Sequence, residues 1–140
     1  MLATTAHLAT GLDTVRISLH ILAASVWVGG QLVMAGLVPT LRQGDPDLPA
    51  KAARAFARMS WPAYALVIIT GLWNAMEVNR SGASMGWQFV LMLKVVLVVG
   101  AGLLAYLHSK AQSASRRGAT AGVGFLASLA ALVLGVALAG

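Results

Sequence analysis

A lysine stands where the chain is most apolar. Lys94 interrupts the run Phe89-Val90-Leu91-Met92-Leu93-Lys94-Val95-Val96-Leu97-Val98-Val99. A cation at the centre of a membrane span costs roughly 2.5–3.5 kcal/mol on insertion scales, so by default it marks a functional site and calls for a partner. Other apolar segments carry groups able to answer it. On the first, Asp13, Arg16, His20, Trp27 and Gln31 recur at spacings of three, four and seven, which is one helical face. On the second, Thr70, Asn74 and Glu77 form a shorter stripe with Trp73 beside it. On the third, Leu91, Lys94 and Val98 share a face, with Gln88 one turn earlier.

The chemistry these groups offer is ligation and charge neutralisation. The His20 imidazole is a common nitrogen ligand for copper or haem iron. Met76, Met85 and Met92 carry thioethers, which suit Cu(I) or a haem axial position. A charged Lys94 can neutralise a carboxylate such as Glu77 or a haem propionate; as a neutral amine it can ligate or carry a proton. Each group also has a purely structural alternative. Lys94 can snorkel to the interface, and His20 can simply bond a neighbouring helix. The three methionines do not all share one helical face and suit packing. Trp27 and Trp73 can fill the core or an aromatic belt. Gly29-Gly30, Gly71, Gly100 and Gly102 permit close helix packing. His7 falls in a loose N-terminal segment, and His108 stands beside basic residues at an interface.

The elements that must position these residues follow from composition. The chain has 140 residues, 59% hydrophobic and only 10% charged, with mean hydropathy +0.81. About 20 apolar residues cross a hydrocarbon core, and four stretches qualify, at about 14–41, 60–78, 86–108 and 121–140. The expected architecture is all-α: an integral membrane four-helix bundle forming one domain over residues 1–140. Asp13-Thr14 offers an N-cap for the first helix. Residues 44–49 hold Pro46, Pro49 and Gly44 and form a loop. A helix restarts near Pro49 or Ala50, and Lys51, Arg54 and Arg58 give its opening an interfacial, amphipathic character before Pro62 offers a kink. Residues 79–84 and 109–120 are polar connections. The last segment is nearly all Ala, Leu, Val and Gly; its only polar side chain is Ser128, which reads as a packing helix.

The net charge is +6. Most cations sit beside two loops, which fits topology determination rather than nucleic-acid binding. Arg42, Lys51, Arg54 and Arg58, then Lys110, Arg116 and Arg117, place loops one and three in the cytoplasm. Both termini are then extracytoplasmic. The sequence has no cysteine, so disulfides and thiolate metal sites are excluded. The first residues lack the basic n-region and cleavage site of a signal peptide, so the N-terminus is expected to be retained.

Depth decides which groups can meet. His20 lies about 9 Å along the first helix and Lys94 about 12 Å along the third, both from the outer side. Asn74 and Glu77 reach the same outer half. His108 lies about 21 Å further along than Lys94 and cannot share one ion with it. The expectation is that Lys94 contacts the His20 face or Glu77 inside the bundle.

Taken together, these segments resemble the CopD-like (copper resistance D) family of bacterial membrane proteins. The likeness runs through Leu19-His20-Ile21-Leu22-Ala23-Ala24-Ser25-Val26-Trp27-Val28-Gly29-Gly30, Val38-Pro39-Thr40-Leu41-Arg42, Arg54-Ala55-Phe56-Ala57-Arg58, Thr70-Gly71-Leu72-Trp73-Asn74, Leu93-Lys94-Val95-Val96-Leu97-Val98 and Leu107-His108. The resemblance implies a four-helix, multi-pass protein of the bacterial inner membrane associated with copper handling. The chain is more distantly similar to the HemJ-like protoporphyrinogen oxidases, which also have a first-helix histidine and a third-helix lysine. That likeness implies His20 and Lys94 as residues of a haem b site.

Three functions remain open at this point. The first is a copper-handling or transport-related protein, with His20, Met76 and Met92 as metal ligands and Trp27, Gln31, Asn74 and Glu77 as a surrounding polar cluster. The second is an accessory, non-catalytic subunit of a larger respiratory or transport complex, or a homo-oligomer. The third is a haem-binding redox protein. No catalytic Ser/His/Asp set, phosphate loop or paired-carboxylate site is evident, which argues against a hydrolase or ATPase.

Overall fold

A computed structural model of the chain describes residues 8–78 and 81–139. His7, Asn79, Arg80 and Gly140 lie outside the described residues. Among those described, every regular element is helical: α1 (Gly11–Ala24), a π-helical turn (Ser25–Gly29), α2 (Gly30–Leu41), α3 (Leu48–Glu77), α4 (Met85–Lys110) and α5 (Ala114–Ala139). The first two helices and the π turn form one rod. The result is four rods, Gly11–Leu41, Leu48–Glu77, Met85–Lys110 and Ala114–Ala139, each long and apolar enough to cross a membrane.

The helix starts are set by local chemistry. Thr10, rather than Asp13-Thr14, caps α1: its hydroxyl accepts from the Asp13 amide at 3.3 Å. Asp13 instead sits in the first turn, where a carboxylate favours the helix dipole. Ser84 caps α4 through the Trp87 amide at 3.1 Å. Pro49 stands at the start of α3, where its missing N–H is harmless. The basic stretch 51–58 is continuous with the apolar part of α3, and the helix runs through Pro62. α5 begins at Ala114, so Arg116 and Arg117 extend the last rod beyond its apolar run.

The π turn has a visible cause. The Ser25 hydroxyl bonds back to the Ile21 carbonyl at 2.8 Å, and Gly29 and Gly30 follow. Back-bonding hydroxyls loosen the normal ladder, and one extra residue per turn then rotates everything beyond it. Trp27 lies inside this turn and is buried.

Consecutive rods alternate in direction. α4 and α5 pack along their whole length: Trp87 Nε1 donates to the Leu138 carbonyl at one end, 3.4 Å, and His108 Nδ1 donates to the Arg117 carbonyl at the other, 2.9 Å. Close approach is possible because Gly124 on α5 has no side chain and packs against Ala101 and Leu104 of α4. The first rod pairs with α3 in the same way. The two pairs then meet through a few specific bonds. Trp27 Nε1 donates to Ser128 Oγ at 3.1 Å, and Tyr64 Oη donates to the Val98 carbonyl at 3.0 Å.

The interior is small and partly polar. Its buried apolar residues are Ala23, Trp27, Ala101 and Ala131, and it also holds Arg16, Ser60, Thr70 and Ser128. Large apolar side chains point outward, among them Ile69, Phe89 and Val133. Lipid solvates such a surface, so helix association must come from close packing and interhelical hydrogen bonds. One end of the bundle, where α1 and α4 start and α3 and α5 finish, forms its mouth.

Candidate functional site

The site is a column of polar groups on the inner face of the first rod, in three layers. At the mouth, Arg16 is 8% exposed despite its charge. Its Nη2 pairs with Asp13 Oδ1 at 2.8 Å. Its Nε and Nη1 are sealed from solvent and have no hydrogen-bond partner. A buried charged donor left unmet costs about 1–3 kcal/mol or more, so this arrangement needs an explanation. On α3, Trp73 Nε1 donates to Glu77 Oε1 at 3.2 Å. Thr10, Leu12, Asp13, Arg16, Trp73 and Glu77 enclose a cleft of about 200 Å³.

The middle layer holds His20. Its Nδ1 lies 2.8 Å from Thr70 Oγ1, and Thr70 is only 1% exposed. The same hydroxyl lies 2.6 Å from the Leu66 carbonyl. Two oxygens that close require a proton between them, so the Thr70 proton belongs to Leu66. Oγ1 therefore accepts, and Nδ1–H donates. The Val67 carbonyl is a further acceptor beside the imidazole. The neutral ring is thus held as the Nδ1–H tautomer, with the lone pair on Nε2. This is how metal-binding imidazoles are commonly oriented, the second nitrogen held by a fixed partner.

Lys94 is half-buried and within electrostatic reach of the His20 ring. The two residues come from the two different helix pairs. Each lies beside a glycine. A Cβ on Gly71 would touch His20 Cε1 at 3.4 Å, and a Cβ on Gly135 would lie 2.8 Å from Lys94 Nζ. Glu77 does not pair with Lys94; it stands exposed at the mouth, held by Trp73. Asn74 is half-buried on α3, one turn from Thr70 toward the mouth.

The third layer is a clamp. Ser128 donates to the Gly124 carbonyl at 2.9 Å, leaving its oxygen to accept from Trp27 Nε1 and from Gln31 Nε2 at 3.4 Å. Gln31 Nε2 also reaches the Trp27 carbonyl at 3.0 Å. Trp27 stacks against Tyr64 with centroids 4.6 Å apart, and Trp61 closes the cluster at 5.8 Å from each. Tyr64 fits against α4 because Gly102 has no side chain; a Cβ there would strike the phenol ring.

The remaining sequence candidates fall outside the column. Met76 and Met92 are 64% and 68% exposed, and Met85 is 87% exposed, so the structure does not bring their thioethers to His20. His108 ties α4 to α5 through Arg117 at the far end. No group of three or more His, Cys, Asp or Glu side chains able to hold a metal occurs among the described residues. Neither the mouth cleft nor the shallow apolar groove lined by Leu22, Ala23, Val26, Arg58, Met59, Pro62, Ala63 and Leu66 includes His20 or Lys94.

No family model, curated protein or solved structure matches this chain.

The chemistry of the column is one well-oriented imidazole, one nearby amine and an anchored aromatic clamp. Sequence reasoning missed Gly135, and it named Ser128 and Arg16 without giving them a role in the column. Gly135 was lost in a run of small residues. Ser128 stood out as the lone hydroxyl of its helix, which signals an interhelical bond in an apolar span. Arg16 lay on the correct face, but its burial depends on how α1 meets α3.

Proposed function

We propose that this chain is a multi-pass protein of the bacterial inner membrane that contributes a single histidine station to a copper-handling membrane assembly. The observation that carries the proposal is the His20–Thr70–Leu66 relay, which leaves Nε2 of a half-buried imidazole with its lone pair free. A copper ion held by this chain alone does not fit. His20 is one donor, Met76 and Met92 face outward, and Lys94 adds a like charge beside a cation. The missing donors must come from a second polypeptide, either another membrane subunit or a second copy of this chain.

The basic residues support its orientation. Arg42, Lys51, Arg54, Arg58, Lys110, Arg116 and Arg117 gather at the end opposite the mouth, so positive-inside bias favours a cytoplasmic far end and an extracytoplasmic mouth. His20 then serves the outer half of the membrane.

Elemental analysis of the chain purified from its native membrane, with co-purifying subunits retained, tests the proposal. Copper is expected in the assembly, and a His20→Ala variant is expected to lose it while still co-purifying. Full copper in that variant refutes the station. A Soret band with no copper replaces the copper reading with haem b.

A further inference from the structure

A groove of about 340 Å³ runs along the seam between the first rod and α3. Small side chains open it. Ala23, which is buried, lies at its floor with Ala63, while Leu22 and Met59, both more than half exposed, stand as its walls. The groove follows about 12 Å of α3, from Arg58 on the far-end side to Leu66. Every lining residue except Arg58 is apolar. Spread over that length, the volume gives a cross-section of about 30 Å², less than half that of an α-helix roughly 10 Å across. A single hydrocarbon chain fits it and a helix does not. We propose that the groove holds one acyl chain of an anionic phospholipid whose headgroup carries a hydroxyl, the chemistry of phosphatidylglycerol, with the headgroup at Arg58.

Arg58 supplies two unmet groups. Its side chain is exposed, so the guanidinium is free to reach a headgroup standing over the end of the groove. Among the described residues no carboxylate pairs with it; Asp13 holds Arg16 and Asp45 holds Lys51. Guanidinium groups match phosphate oxygens in geometry and charge. The second group is the Arg58 carbonyl. Pro62 lies inside α3 and has no N–H for the carbonyl four residues back, which is that of Arg58. A phosphodiester bearing a hydroxyl answers both, its oxygens accepting from the guanidinium and its O–H donating to the carbonyl. A phosphoethanolamine headgroup also donates, but its ammonium would join Arg54, exposed one turn away on the same face. Charge therefore selects the anionic lipid over the zwitterionic one. Basic clefts between membrane helices are a recurring form of anionic-lipid site. The groove excludes His20 and Lys94, so the inference does not depend on copper.

The test uses the full chain in detergent, probed by native mass spectrometry. It is titrated in separate arms with phosphatidylglycerol, phosphatidylethanolamine, phosphatidylcholine and glycerol phosphate, which has the headgroup chemistry without the chains. One phosphatidylglycerol should be retained with at least about tenfold preference over the other two lipids, the scale of one charge-assisted hydrogen bond. Arg58→Gln changes an exposed residue and should erase that preference, with circular dichroism checking the fold. Arg116→Gln removes another exposed arginine at the same end, outside the groove, and should leave the preference intact. Ala63→Leu fills the groove and should weaken retention with both arginines in place; if that variant fails to fold, the two arginine variants still decide. Equal retention of all three lipids overturns the proposal, as does equal loss in Arg58→Gln and Arg116→Gln. Displacement of the lipid by glycerol phosphate at equal concentration overturns it too, and so does a lipid-free dimer lost in Ala63→Leu, which assigns the groove to a second copy.

Discussion

Replacing Thr70 with valine isolates the one hydrogen bond on which the reading of His20 depends. Valine keeps the shape of threonine, and the site is 1% exposed, so packing is nearly preserved while the hydroxyl disappears. Two bonds go with it: the 2.6 Å bond to Leu66 O and the 2.8 Å acceptor of His20 Nδ1–H. The Leu66 carbonyl retains its helical partner, so its loss is minor. The imidazole N–H loses its main acceptor, a change worth about 1–3 kcal/mol when nothing replaces it. The Val67 carbonyl beside the ring offsets part of this, which places the expected destabilisation near 1 kcal/mol. The functional effect is larger. Loss of a partner that fixes a ligating histidine weakens metal binding by about 10–100-fold. The assay is copper affinity of the purified assembly by competition with a chelator, alongside nitrogen NMR of the imidazole. Thr70→Val should lower affinity and mix the tautomers, and Thr70→Ser, which keeps the hydroxyl, should do neither. An unchanged Nδ1–H tautomer and unchanged affinity in Thr70→Val would refute the reasoning.

Three further substitutions probe the rest of the column. Gly102→Ala puts a methyl into the Tyr64 ring and should destabilise by about 1–3 kcal/mol; a Tyr64→Leu background should relieve most of that cost, measured as a double-mutant cycle of detergent unfolding. Ser128→Ala strands Trp27 Nε1 and should cost about 1–2 kcal/mol, with a shift in tryptophan emission that Ser128→Thr does not produce. Gly135→Ala crowds only the flexible tip of Lys94, so stability should change by less than about 1 kcal/mol, while the displaced amine should show altered reactivity toward a membrane-permeant acylating reagent.

The four spans were legible because their signal is compositional. Any segment of about 20 apolar residues must satisfy its own backbone in lipid, and a helix does so without a partner. Element ends were less legible. The cap at Thr10 and the forward extension of α5 to Ala114 depend on single hydroxyls and on basic residues that tolerate the interface, and hydropathy registers neither. The column itself was half legible. Periodicity put Asp13, Arg16, His20, Trp27 and Gln31 on one face, but it could not give the partners, because those depend on the vertical register between rods. That register is set by close approaches at Gly102 and Gly124, and a glycine in a Gly-rich span carries no mark of which neighbour it admits. The same cause explains Glu77. Its depth matched Lys94, yet Trp73 one turn back on the same helix offers a donor that needs no interhelical register at all. A local i,i+4 partner is available in every arrangement of the bundle, whereas Lys94 is reached only in one. The carboxylate therefore stays at the mouth, and the lysine stands near His20 without it.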